Sequence, residues 1–280
     1  MHVLSTKDYK LFEKLVSLRQ SELRKAMIQY LKARYNKVLI TKDYIVAIGD
    51  IPIALVAHMD TVFAHPVENM FYDERKGVLW SPEGLGADDR AGVFSILKIL
   101  QENLRPSVIL TDEEKGGIGA LALSKIPCPI PDLKYMIELD RRGTNDCVFY
   151  DCYVPEFIQY VETFGFCEQW GTFSDISYLM PAWKKCGVNL SVGYQNEHSV
   201  SETLHVNPLY DTIKKVSTML KEESIPDFEY DEFSFYNTEF TVAAKVNLKT
   251  NLLGAFRKGE NWYVLDIDGN NIGTYQCKSK

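Results

Sequence analysis

"IPIALVAHMDTV" (residues 51–62) decides how the chain is read. Its first seven residues are continuously apolar and include β-branched side chains, as a strand covered on both faces should be. The run stops at His58, and an aspartate follows two places on, at Asp60. In an extended chain residues i and i+2 point to the same side. His58 could therefore hold a metal through one ring nitrogen while Asp60 fixes the ring through the other. A core histidine beside a turn aspartate would give the same letters, so the stretch sets an expectation about fold and leaves the chemistry to its surroundings.

Outward from it, "KVLITKD" (37–43) and "YIVAIGD" (44–50) read as two short strands around a turn. "SVIL" (107–110), "KYMIEL" (134–139) and "GVNLSV" (187–192) are further strand candidates. Helical spacing appears at Leu11, Leu15 and Leu18, and again in "SELRKAMIQYLKARY" (21–35), with Ser21 as its N-cap. It recurs in "DDRAGVFSILKILQEN" (88–103) and in "NPLYDTIKKVSTMLKEE" (207–223), where Asn207 caps and Pro208 occupies the first turn. Strands alternating with helices predict an α/β fold, three layers αβα around a mixed, mostly parallel sheet. After residue 225 the character changes. "FEYDEFSFYNTEFTVAAKVNL" (228–248) and "NWYVLDIDGNNIGTYQ" (261–276) are aromatic and β-branched, with a turn signal at "DGNN" (268–271). The expected organisation is a catalytic domain over 1–225 and a small β-rich C-terminal extension over 226–280.

Composition narrows the class. The chain has 280 residues, 46% of them hydrophobic and 25% charged, as ordinary globular proteins do. No apolar run approaches the ~18–20 residues of a membrane span, and the first residues lack the apolar core of a secretory signal. A cytoplasmic location is expected, with no membrane partner. Six cysteines without a CxxC pair read as free thiols. A net charge of −7 argues against a nucleic-acid partner, which calls for a basic face.

Five polar clusters sit just past a strand candidate or at a helix start: His58 with Asp60, Asp88 with Asp89, Glu113 with Glu114, Asp140, and His198. In open α/β sheets, ligands bind beyond the carboxyl ends of the strands, so these clusters would converge in space. In "GLGADDRAG" (84–92) a helix cap is one reading. A carboxylate whose two oxygens bridge cations ~3.5–4 Å apart is the other. Adjacent glutamates in "TDEE" (111–114) can be a solvated turn. They can also divide the labour, one ligating and one taking a proton from metal-activated water. Together, two histidines and three carboxylates can give each of two zinc ions three protein ligands and an open position.

In this order, "HMDTV", "GADDRAG", "TDEEKGGIGA", "ELD" and "NEHSVSE" resemble the co-catalytic di-zinc exopeptidases. That clan includes tripeptidase-T-like enzymes, zinc aminopeptidases, and zinc carboxypeptidases and deacylases. The resemblance spans roughly residues 50 to 205. It implies that His58 and Asp140 hold one zinc, Glu114 and His198 the other, and that Asp88 bridges them. It implies further that Asp60 orients His58 and Glu113 is the general base, with Asp89 left to cap the helix. Cobalt or manganese could occupy similar N/O sites.

The spacing departs from parts of the clan. Thirty residues from His58 to Asp88 are too few for the domain some aminopeptidases insert there. Fifty-eight from Asp140 to His198 are too few for the lid and dimerisation domain of tripeptidase-like members. A core without a lid is expected, and no lid-mediated dimer. The function implied is an aminopeptidase-like exopeptidase acting on peptides. Its alternatives are a zinc amidohydrolase acting on N-acyl amino acids and a catalytically silent binding relative. Asp175, Arg141, Arg142 and Glu202 could each serve the site or only the surface and helix ends. His65 and His205 occupy no motif position.

Overall fold

The computed structural model describes residues 4–112 and 117–231 in full. It describes 252–258, 261–266 and 271–276 as backbone strands. In chain order the elements are α1 (Thr6–Ser17), α2 (Gln20–Lys32), β1 (Lys37–Ile40), β2 (Tyr44–Ile48), β3 (Ile51–His58), β4 (Phe71–Asp73) and β5 (Val78–Trp80). Then come α3 (Ala87–Gln101), β6 (Pro106–Thr111), α4 (Ile118–Ser124), β7 (Tyr135–Arg141), β8 (Asp146–Val148), α5 (Pro155–Thr163) and β9 (Cys167–Glu168). After them follow α6 (Ile176–Trp183), β10 (Cys186–Ser191), β11 (Tyr194–Gln195), β12 (Thr203–His205) and α7 (Val206–Leu220). Strands β13 (Leu252–Lys258), β14 (Asn261–Asp266) and β15 (Asn271–Gln276) close the series.

The main sheet has eight strands in the order β1-β2-β6-β3-β7-β10-β8-β9. Its centre is parallel: β6 with β3, β3 with β7, and β7 with β10. The antiparallel β1–β2–β6 pairing closes one side, and β8 turns antiparallel against β10 on the other. β3 lies in the middle, and residues 53–58 are buried at both alternations of the strand, so both faces are covered. Helix α3 packs on β3 and β7, with α1 and α7 beside it. Helices α4 and α6 pack on each other and on β2 and β10. The α/β architecture with a mixed, mostly parallel sheet flanked by helices is therefore the one expected.

One close approach fixes the packing of α3. A Cβ added at Gly92 would lie 2.3 Å from the carbonyl oxygen of Leu139 and 2.3 Å from an Asp89 carboxylate oxygen. Only glycine lets the first turn of α3 sit this close to β7.

A second, four-stranded sheet, β11-β12-β5-β4, is antiparallel throughout and was not anticipated. It joins the segment after His58 to the segment around His198, because β12 pairs with β5. Two helix starts also differ from expectation. α2 begins at Gln20 and Ser21 lies in its first turn, where Glu22 accepts the Arg19 backbone N–H at 2.9 Å. α7 begins at Val206, ahead of Asn207 and Pro208.

The chain divides into two compact units, 1–233 and 234–280. In the first, Phe228 packs its ring against Tyr135 and Phe157. In the second, β13, β14 and β15 form an antiparallel sheet. No helix among the described residues is long and apolar enough to cross a membrane.

Candidate active site

β3 ends at His58, whose side chain is only 4% exposed. Its Nδ1 lies 3.4 Å from Asp60 Oδ1, and its Nε2 faces away from Asp60, 3.0 Å from Asp88 Oδ1 and 3.6 Å from Asp140 Oδ1. The other oxygen of Asp88, Oδ2, lies 3.0 Å from Nε2 of His198. One buried carboxylate thus touches two imidazoles through different oxygens. Four segments far apart in sequence meet here, at the carboxyl ends of β3 and β7, at the start of α3 and in the loop between β11 and β12.

Electrostatics follow from burial and from the acids. Burial opposes a charge on His58, but Asp140, Asp60 and Asp88 outweigh it and push the imidazole well above its ordinary value. Burial would raise Asp88, but hydrogen bonds from His198 and His58 outweigh it and hold the carboxyl low. The cluster is built to hold positive charge. Its donors are imidazole nitrogen and carboxylate oxygen, and their mutual separations of 3.0–3.6 Å match those of ligands sharing an ion at ~2.0–2.2 Å. The residues present fit a divalent metal.

Asp89 belongs to the same compact group, with His58 and Asp140 within 4.8 Å of one another. Its oxygens are committed elsewhere: one accepts the Gly92 N–H at 2.8 Å and the other the His58 N–H at 3.3 Å. The Gly92 bond is a helix cap, because Asp88 and Asp89 have non-helical backbone angles and the regular helix starts after them. Burial and the neighbouring Asp140 push the Asp89 carboxyl well up.

Asp140 is held from three sides. The Tyr194 hydroxyl donates to its Oδ1 at 3.1 Å. Asn189 brackets its backbone, accepting the Asp140 N–H at 3.0 Å and donating to the Asp140 carbonyl at 2.9 Å. Behind Asp140, Glu138 accepts hydrogen bonds from the Ser174 hydroxyl and from the Asp175 N–H, the latter at 3.2 Å. Asp175 in turn accepts from Thr111. Asp175 thus stands at the start of α6 and serves this buried network, with no side-chain cap. Burial, then Asp140 and Asp175, push Glu138 well above the usual carboxylate range.

Glu113 and Glu114 lie outside the described residues. Thr111, the last residue of β6, pairs with His58 across the sheet. Asp112 is anchored by α2, through Gln20 Nε2 at 2.8 Å and through Arg24.

Glu202 is buried. Its oxygens accept the backbone N–H groups of Ala87 at 3.1 Å and Asp88 at 3.2 Å. Burial pushes its carboxyl up to about 7 against those bonds. Arg142 pairs with Glu197 at 2.8 Å, and Arg141 donates to the Trp170 carbonyl at 3.3 Å. Arg90, unremarked in the sequence, is buried beneath the site and donates to the carbonyls of Leu15 and Leu18 at 2.9 and 3.3 Å. His65 is exposed, and His205 precedes α7. Tyr194, Asn189 and Glu138 also escaped sequence reasoning. Only the strand positions of Asn189 and Glu138, inside apolar runs, marked them as buried polar groups.

No family model matches the sequence, and no curated protein matches it. Solved structures do. A tripeptidase from Staphylococcus aureus is similar at TM-score 0.63 and 14% identity, over 79% of this chain and 99% of that one. The aminopeptidase PepT from Bacillus cereus is similar at 0.58 and 14%, over 77% and 98%. A TET aminopeptidase from a marine sediment archaeon (Thaumarchaeota) is similar at 0.57 and 14%, over 79% and 98%. At these identities the likeness is one of architecture: the chain has the fold of tripeptidases and aminopeptidases of the exopeptidase type.

Proposed function

We propose that this chain is a zinc-dependent exopeptidase of aminopeptidase type. His58 and Asp140 would hold one ion and Glu114 and His198 the other, with the Asp88 carboxylate available to both. The observation that carries the reading is the placement of the two Asp88 oxygens, each 3.0 Å from Nε2 of a different histidine. The shared fold with tripeptidases and aminopeptidases supports the reaction class.

When bound, the metal pair supplies an activated water and polarises the scissile carbonyl. The chain's own residues do the rest. Asp60 orients the His58 ring through Nδ1 and leaves Nε2 for the cluster. Tyr194 and Asn189 fix Asp140. Glu113 accepts a proton from the attacking water and returns it to the leaving amine. The substrate is a peptide with a free N-terminus, with no nucleic-acid or membrane partner and no lid-mediated dimer.

The test is metal analysis of the purified chain combined with a panel of free peptides and N-acyl amino acids. Two zinc equivalents with hydrolysis of free peptides are expected. Cleavage of N-acyl amino acids alone would favour an amidohydrolase. Metal-free chain without hydrolysis would favour a silent binding protein.

A further inference from the structure

Glu202 is a carboxylate with 1% of its residue surface exposed, on the segment that carries His198. Its partners are consecutive backbone N–H groups, those of Gly86, Ala87 and Asp88. Gly86 has a left-handed backbone, φ 64° and ψ 32°, and the turn that follows aims these N–H groups into one concavity. Such a nest is an anion-binding device. Here its anion is internal. A Cβ at Gly86 would come within 3.2 Å of the Thr61 side chain, so the turn is also confined from the β3 side.

The consequence is geometric. The Ala87 and Asp88 amides are the last two backbone donors before the Asp88 side chain, so the Glu202 carboxylate fixes the peptide planes from which Asp88 projects. Glu202 stands four residues after His198, and its own N–H donates to the Ser199 carbonyl at 3.0 Å. One side chain therefore ties the loop of His198 to the turn of Asp88, the two groups whose contact is 3.0 Å.

We propose that Glu202 is a positioning residue that locks the Asp88 turn to the His198 loop and so sets how tightly the pair of metal ions is held. This rests on the two-metal reading above. Glutamine has the shape of glutamate but only one acceptor oxygen, so Glu202→Gln places an amide N–H against a backbone donor. Glu202→Asp keeps the charge and falls one methylene short of the nest.

The experiment titrates Co2+ into metal-free wild type, Glu202→Gln and Glu202→Asp, following visible absorption and thermal melting. Wild type is expected to bind two equivalents. Glu202→Gln is expected to lose at least tenfold in affinity, with shifted absorption bands, and Glu202→Asp to behave in the same direction. Should Glu202→Gln not fold, Glu202→Asp carries the same reading. Variants that melt lower yet bind two equivalents with wild-type affinity and spectrum would overturn the proposal and leave the metal centre standing. Wild type that binds no Co2+ would overturn the two-metal reading itself.

Discussion

His198 reaches Asp88 from a left-handed backbone: its φ is 62°, and its Nε2 lies 3.0 Å from Asp88 Oδ2. Non-glycine residues occupy that region seldom, and they do so where the surroundings hold them there. The loop that holds it is tied down by the Arg142–Glu197 pair and by the Ser199 hydroxyl bonded to the Asn196 carbonyl at 2.7 Å. The side chain itself is 53% exposed.

Truncating His198 should therefore affect both metal binding and stability. His198→Ala is expected to lower the unfolding free energy of the metal-free chain by about 1–3 kcal/mol, because it takes one imidazole partner from the buried Asp88 carboxylate. It should lower zinc from two equivalents to one. Denaturant melts and metal analysis on the same preparation measure both. Retention of two tightly held ions would remove His198 from the ligand set.

Glu113→Gln should keep both metals and lose turnover by about 10²–10⁴-fold, the usual worth of a placed general base. Steady-state hydrolysis of a dipeptide amide, normalised to metal content, measures it. Near-wild-type turnover would reassign the base.

Gly92→Ala should destabilise although α3 contains it. Helix propensity alone favours alanine by about 1 kcal/mol. The added Cβ would meet the Leu139 carbonyl and the Asp89 carboxylate, both at 2.3 Å. Overpacking of this kind costs about 1–3 kcal/mol, so the midpoint of urea unfolding should fall. A rise would mean that α3 can retreat from β7.

Asp8 ties α1 to two other helices, accepting from Tyr210 at 2.6 Å and from Lys98 at 2.9 Å. Burial would raise its carboxyl, but these bonds outweigh burial and hold it below the ordinary value. A depressed folded value stabilises the fold above the unfolded value near 4, and the contribution is lost as pH falls through the folded value. Asp8→Asn should cost about 1–2 kcal/mol at pH 7. The difference from wild type should shrink below pH ~4. A cost independent of pH would assign it to packing.

What the sequence disclosed follows from how each element is stabilised. β3, β6, β7 and β10 read clearly because strands buried on both faces are written as unbroken apolar runs. β11, β12, β4 and β5 have two or three residues each, too short for any period, and exist because they pair with one another. α6 contains Pro181, which masked its helical spacing. In the site, His58, Asp88, Asp140 and His198 could be picked out because each ends a strand run or opens a helix or loop. Glu202 stands out in the sequence as a candidate, but its role could not be read there, because its partners Ala87 and Asp88 lie more than a hundred residues away. Asn189 was hidden for a related reason: an amide inside an apolar strand says that something polar is buried beside it, without saying what.

The most direct test of the metal centre is zinc content by elemental analysis of wild type beside Asp88→Ala. Two ions per wild-type chain and fewer than one in the variant are predicted, because the Asp88 carboxylate lies 3.0 Å from both imidazoles. Wild type without bound metal, or a variant as well loaded as wild type, would contradict a shared carboxylate at this site.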